Sequence, residues 1–260
     1  DVTLAEVRET FKKLSKRKKP LFLVGRVTAL RGQGGVIFFN FSDGTETFQG
    51  FLKKGDTDDA AFNDFADLVD IGDFVEVEGA LFVTKKGEET IAVKRWRMLG
   101  KTLRPLPEKW HGLKDVEERF RKRYLDILMS PESRGKFLLR SKMIQAIRGI
   151  LSADGFLEVE TPTLQPLYGG ASAEPFTTHH NVLDADLYLR ISNELYLKRL
   201  LIGGLPKVYE IYKAFRNEGI DVTHYPEFTM IEFYESYGTA ETQMKRTENM
   251  LGEVAKKVLV

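Results

Sequence analysis

Leu4, Val7, Phe11 and Leu14 recur at three- and four-residue spacings and predict a helix within residues 1–19. From Leu21 the period shortens towards two, the spacing of a strand with one face buried. LFLVGRVTAL (21–30), VIFFNF (36–41), TFQGFLKK (47–54), DFVEVEGALFV (73–83) and TIAVKRWRML (90–99) are the expected strands. RGQGG, SDGT and KKGEE read as turns between them, and DDAAFNDFADLV (58–69) as a helix. Phe38 and Phe39 adjoin on the second strand, so one faces a core and the other points away.

Five strands with one helix between the third and fourth is the order of an oligonucleotide-binding barrel. Residues 101–130 form a join, with Pro105 and Pro107 stiffening the exit and EERFRKRYLDIL charged as on an exposed helix. Beyond it, ESRGKFLLRSKMIQAIRGILSADG (132–155) predicts a long helix with Phe137, Ile144, Ile147 and Leu151 along one stripe. FLEVETP is a short strand closed by Pro162, and LYLRI another. Ser192 or Asn193 caps the helix ELYLKRLLI, which ends at Gly203 and Gly204. The expected class is α+β, with a barrel domain over 1–103 and a second domain over 104–260.

With 260 residues, 42% hydrophobic and 30% charged, the chain has material for two ordinary domains. The net charge of +1 gives little overall attraction to nucleic acid, so RNA contacts must come from local patches. The run KKLSKRKK (12–19) is either a solvated face or one such patch. The absence of cysteine removes disulfides and thiolate chemistry and fits a reducing cytoplasm. No apolar run reaches the ~18 residues of a membrane span. The four histidines have no useful metal-ligand spacing, and His179 and His180 are expected to pack locally.

VYEIYKAFR (208–216) and EFTMIEFYE (227–235) read as two strands joined by NEGIDVTHYP (217–226). Alternation puts Arg216 on the face of Tyr212 and Val208, and Phe228, Met230, Glu232 and Tyr234 on one face of the return strand. A plain amphipathic hairpin could carry this set by pairing Arg216 with Glu232. FRNEG (215–219), HYPEF (224–228) and TMIEFY (229–234) taken together, however, resemble the second signature motif of class II aminoacyl-tRNA synthetases. The E-x-Y ending is similar to the lysyl-tRNA synthetases, as is RPLP..WHGL.D.E.R.R.RYLD (104–126). The long helix, strand and fixed proline resemble the first class II motif.

The resemblance implies ATP-dependent activation of L-lysine and its transfer to tRNA(Lys). It places Glu232 and Tyr234 on the ε-ammonium group, a hydrated cation whose burial needs replacement acceptors. Glu194 and the Gly170 backbone take the α-ammonium group, although a first-turn carboxylate also serves a helix for structural reasons. Arg216 takes the α-carboxylate and α-phosphate, since its fork matches both. Glu218, His224, Tyr225 and Phe228 fall on ATP positions, Phe228 stacking on adenine. In the barrel, Phe38 falls where an anticodon base stacks, and Gln49 and Glu88 where the central uridine is read. The resemblance also implies a homodimer through the first-motif helix.

Tyr225 replaces a common asparagine, Asn193 a common proline, and Glu174 a usual basic residue. A glycine-rich third motif with its arginine occurs nowhere, nor do the acidic residues before it that hold Mg2+. The chain is accordingly expected to be a piece of a longer enzyme, inactive as written. Two alternatives stay open: an aspartyl or asparaginyl relative, and a non-catalytic tRNA-binding paralogue. The first is disfavoured because an acidic or amide substrate wants cationic or amide partners where Glu194 and Glu232 stand.

Overall fold

The computed structural model describes residues 2–17, 19–107 and 115–259. Part of the lysyl-like string, WHGL (110–113), lies outside them. The chain divides into two compact units, Asp1–Met129 and Ser130–Val260.

The first unit opens with α1 (Leu4–Glu9) and α2 (Phe11–Leu14), two short helices where the spacing predicts one. Thr10 breaks them at φ −105° and ψ 15°. A capping box starts α1: Thr3 Oγ1 accepts from Glu6 N, and Thr3 N donates to the Glu6 carboxylate. The predicted apolar set survives the break, with Leu4, Val7, Phe11 and Leu14 all buried. Next come β1 (Leu21–Gln33), β2 (Val36–Ser42), β3 (Thr47–Lys53), α3 (Asp59–Leu68), β4 (Phe74–Val83) and β5 (Glu89–Gly100). β1 runs through Arg31 to Gln33, so the turn expected over RGQGG is only Gly34 and Gly35.

The strand order is β1-β2-β3-β5-β4, and β4 pairs with β1 to bring the sheet round on itself. β3 meets β5 in parallel, while the other pairs are antiparallel. Phe39, Phe41, Phe48 and Leu52 point inwards and pack with α3 through Phe65. A Cβ at Gly50 would lie 2.1 Å from the Phe39 ring, so that close approach requires glycine. The helices α4 (Val116–Arg121) and α5 (Arg123–Met129) also fall in this unit, breaking at Lys122.

The second unit begins with α6 (Pro131–Ala153), capped by Ser130. Then follow β6 (Leu157–Glu158), β7 (Leu164–Gln165), β8 (Thr177–His180) and β9 (Ala185–Leu189). After these come α7 (Glu194–Ile202), β10 (Lys207–Phe215), β11 (Glu227–Glu235) and α8 (Ala240–Leu259). β10 is the centre of a three-stranded sheet, antiparallel to β11 and parallel to β6. A smaller antiparallel sheet has the order β7-β9-β8.

The stripe expected along α6 is buried only towards its end. Leu151 is fully buried and Ile144 and Ile147 half-buried, whereas Phe137 is 46% exposed. Twenty-three residues of helix span roughly 35 Å, and the apolar cluster with Met250 and Val254 of α8 involves only Ala146 to Leu151.

Candidate functional site

The hairpin β10–β11 positions the candidate site. Its register pairs Ala214 with Phe228, Tyr212 with Met230, Glu210 with Glu232 and Val208 with Tyr234. These side chains share one face, as alternation requires. Just past the end of β10, Arg216 N donates to Pro226 O at 2.8 Å and keeps the two chains together. The Arg216 guanidinium lies 5.1 Å from the centre of the Phe228 ring. Its Nε is buried and finds no hydrogen-bond partner among the described residues. An orphaned guanidinium donor costs about 1–3 kcal/mol, which an anionic group placed there would recover.

Four residues further along β11, at about 13 Å by strand rise, Glu232 has no contact with Arg216. The pairing open to a plain hairpin is therefore not made. Instead three hydroxyls hold the carboxylate: Tyr212 at 2.5 Å and Ser192 at 3.1 Å on Oε1, and Tyr234 at 3.0 Å on Oε2. Burial, followed by the charge and hydrogen bond of Glu232, raises the Tyr212 phenol well above its ordinary range. Burial and the nearby carboxylates raise Tyr234 likewise. Both phenols thus keep their protons and act as donors. Among the described residues, no lysine or arginine forms a salt bridge with Glu232.

The start of α7 completes this wall. Asn193 occupies the cap position but makes no side-chain cap; Ser192 Oγ accepts from Glu194 N at 3.1 Å instead. Gly170 has φ +83°, and a Cβ there would meet Glu194 Cβ and Ser192 Oγ at 2.9 Å. The backbone at Gly170 therefore lies directly against Ser192 and Glu194. One Glu194 oxygen is held by Lys198, one turn on, at 2.5 Å. Gly170, Glu194, Glu232 and Tyr234 are thus brought together, and Arg216 with Phe228 stands on the same strand face.

The remaining predicted residues lie in the loop between the strands or beside it. Glu218 Oε1 accepts from Glu174 N at 3.3 Å, and Asn217 N donates to Glu174 O at 2.8 Å, joining two loops. His224 and Tyr225 are exposed on the hairpin loop. His224 Nδ1 lies 2.8 Å from Asp221, whose carboxyl is lowered to about 2 by the Thr223 amide and then by His224 itself. No contact gathers His224 or Tyr225 to Arg216. His179 lies 3.0 Å from Asp186 across the β8–β9 ladder, a local contact.

Beneath the site is a buried polar network to which the sequence reading assigned no part. Glu210 accepts from Arg190 Nη1 at 2.7 Å, Thr161 Oγ1 at 2.7 Å and Asn193 Nδ2 at 2.8 Å. Arg190 also donates to the Lys213 and Thr161 carbonyls, and its guanidinium lies 4.5 Å from the Tyr212 ring centre. A signal existed: Glu210 alternates with Val208 and Tyr212 on one strand face, and a carboxylate buried beside such residues must be paired. Its partner twenty positions upstream had no local mark.

Among the described residues, no group of three His, Asp or Glu side chains could hold a metal ion.

On the barrel, Phe38 points outwards with its ring 4.8 Å from Phe51, which in turn is 5.8 Å from Phe82. Gln49 sits on the same outer face, paired in register with Asn40, and its Oε1 accepts from Thr90 Oγ1 at 2.8 Å. The same Thr90 hydroxyl lies 3.1 Å from Glu88 O, so it links the Gln49 side chain to the turn that carries Glu88. Glu88 is exposed in the turn just before β5, two residues from Thr90, with no contact to Gln49.

Residues 115–260 match the family model described as tRNA synthetases class II (D, K and N), which is more than half of the chain. The chain belongs to the class II tRNA synthetases. Residues 22–99 match an OB-fold nucleic acid binding domain of the tRNA anticodon type. A lysine–tRNA ligase of Methanoculleus marisnigri is 50% identical over 259 residues, 99% of this chain and 51% of the relative. One from Aquifex aeolicus is 50% identical over 241 residues, 93% of this chain and 40% of the relative. The chain spans about half the length of the curated relatives it matches.

Proposed function

We propose that this chain carries the anticodon-binding barrel and the amino-acid half of the active site of a lysine–tRNA ligase. The observation that carries the reading is Glu232: a half-buried carboxylate ringed by three hydroxyls, with no cation among the described residues to neutralise it. Such a group demands a cationic partner from outside, and a primary ammonium fits. By contrast Glu210, directly across the ladder, is already saturated by Arg190, Thr161 and Asn193.

In this reading the lysine side chain ends at Glu232 and Tyr234, with its α-ammonium group at Glu194 and the Gly170 carbonyl region. Arg216, whose Nε lacks an acceptor, holds the lysine carboxylate against the α-phosphate of ATP, and Phe228 backs the adenine. A carboxylate oxygen attacks the α-phosphorus, the bond to the bridging oxygen of the β-phosphate breaks, and pyrophosphate leaves with that electron pair. The terminal adenosine hydroxyl of tRNA(Lys) then attacks the acyl carbon and releases AMP. Orientation and charge neutralisation account for the rate, with no general base needed in the first step. Mg2+ would be held by residues outside those described here. Phe38, Gln49 and Glu88 read the anticodon by stacking and edge hydrogen bonds.

Leu138 and Met143, exposed on α6, support a homodimer through that helix. Among the described residues no helix is long and apolar enough to cross a membrane, and we place the activity in the cytoplasm. Pyrophosphate exchange by the complete protein tests the reading: lysine should drive it, and aspartate and asparagine should not. Exchange driven by either of those instead would replace lysine as the substrate.

A further inference from the structure

The three hydroxyls around Glu232 are not equivalent. Tyr212 OH receives Asn193 N at 3.4 Å, and Ser192 Oγ receives Glu194 N at 3.1 Å. Each hydroxyl thus has a backbone N–H directed at its oxygen, which leaves its single proton to be donated onward. Both protons go to the same atom, Glu232 Oε1. A carboxylate oxygen has about two lone-pair directions, so Oε1 is full. Oε2 receives only Tyr234 and keeps one direction open, beside a phenol oxygen whose own lone pairs are unused by any described donor.

The polarity of this arrangement is built in from below. Tyr212 is 4% exposed, its ring is covered by Arg190, and Arg190 is fixed by Glu210 and two carbonyls. The other acceptor within reach of the hydroxyl is Met230 Sδ at 3.7 Å, weak beside the Glu232 oxygen at 2.5 Å, so the proton stays on the carboxylate.

We propose that Tyr212, together with Ser192, is a specificity-determining positioning residue: the pair fills the Oε1 edge of Glu232 so that the site accepts a primary ammonium and refuses a guanidinium. An ammonium can place one N–H on Oε2 and another on the Tyr234 oxygen. A guanidinium is held best by two parallel N–H bonds to both oxygens of one carboxylate edge; with one oxygen taken it is left with a single bond and a second donor to desolvate unpaired. The inference rests on the lysine reading above and deepens it.

The test uses the complete protein and pyrophosphate exchange with L-lysine and with L-arginine. Tyr212→Phe removes the hydroxyl and keeps the ring over Arg190. The KM for lysine should rise about tenfold to a hundredfold, the loss expected for one hydrogen bond to a charged group. The KM for ATP should stay within about twofold, and the preference for lysine over arginine should fall by at least about tenfold. Ser192→Ala, which leaves the buried ring untouched, should move lysine and the preference in the same direction by less; it carries the test if Tyr212→Phe does not fold. An unchanged lysine-over-arginine preference in the folded variants would overturn the proposal, as would lysine and ATP constants rising together. Absence of lysine-driven exchange in the unsubstituted protein would be a different result, ending the lysine reading and this inference with it.

Discussion

The two units differ in how their buried apolar and polar side chains are gathered. The barrel unit closes over one continuous cluster running from Leu4 and Phe11 through Phe39, Phe48 and Phe65 to Val93. The second unit has a small apolar cluster around Leu151, Phe156, Tyr209, Met250 and Val254, and elsewhere it buries Arg190, Ser192, Asn193 and Glu210. A barrel proposed to read bases on its outer face can leave its interior to hydrophobic packing, because the proposed reading face and the core lie on opposite sides of each strand. A site that desolvates a charged metabolite cannot separate them. Its carboxylate must be aimed, and aiming needs polar partners behind it that cost stability if left incomplete.

The hardest blow to this contrast falls at Arg216. Arg216→Ala in the complete protein should lower lysine-dependent pyrophosphate exchange by at least about a hundredfold to a thousandfold without lowering the unfolding midpoint, because removal of the orphaned Nε offsets the lost contact with Phe228. Near-normal exchange would remove Arg216 from the reaction. Glu210→Gln probes the polar interior by leaving the Arg190 charge without its carboxylate. Such a break costs about 3–5 kcal/mol, read as a lower urea midpoint, whereas a neutral result would show the network is ornament. On the barrel, Phe38→Ala should raise the KM for tRNA by about fivefold to a hundredfold and leave lysine-driven exchange without tRNA unaltered. A change in that exchange would deny that the two faces act separately.

The smallest effect concerns acid. Hydrogen bonds from Arg246 first, then Lys207, lower the Glu235 carboxyl to about 2. Since the folded value is depressed, its contribution is full above the unfolded value of 4.5 and is lost as pH falls towards 2. Glu235→Gln should therefore be less stable than the parent at pH 7, and the gap should close between pH 4.5 and 2. A gap that is constant with pH would show that the ion pairs contribute nothing.

Much of this was legible without coordinates. The period of two through VIFFNF and TFQGF placed one phenylalanine of the pair at 38 and 39 inside, and the fold chose Phe39. The string from Phe215 to Tyr234 put Arg216, Phe228, Glu232 and Tyr234 on one strand face, as the register does, whereas Gly170, Ser192, Glu194 and Tyr212 reach the site from outside it. Where the reading erred, the cause was extent: Thr10 and Lys122 break helices that periodicity joins, and Phe137 is left exposed because the apolar cluster with α8 begins only at Ala146.

Local spacing determined which side chains share a strand face, and with it the expectation of a carboxylate and a phenol two residues apart. Only the tertiary structure decided what surrounds that carboxylate. Ser192 lies forty positions from Glu232 and Tyr212 twenty, and the Arg190–Glu210 pair spans another twenty. Such partners are set by how loop 190–193 docks on β10, through Phe215 N to Arg190 O. Periodicity describes one element at a time, whereas the direction of a hydroxyl proton depends on three.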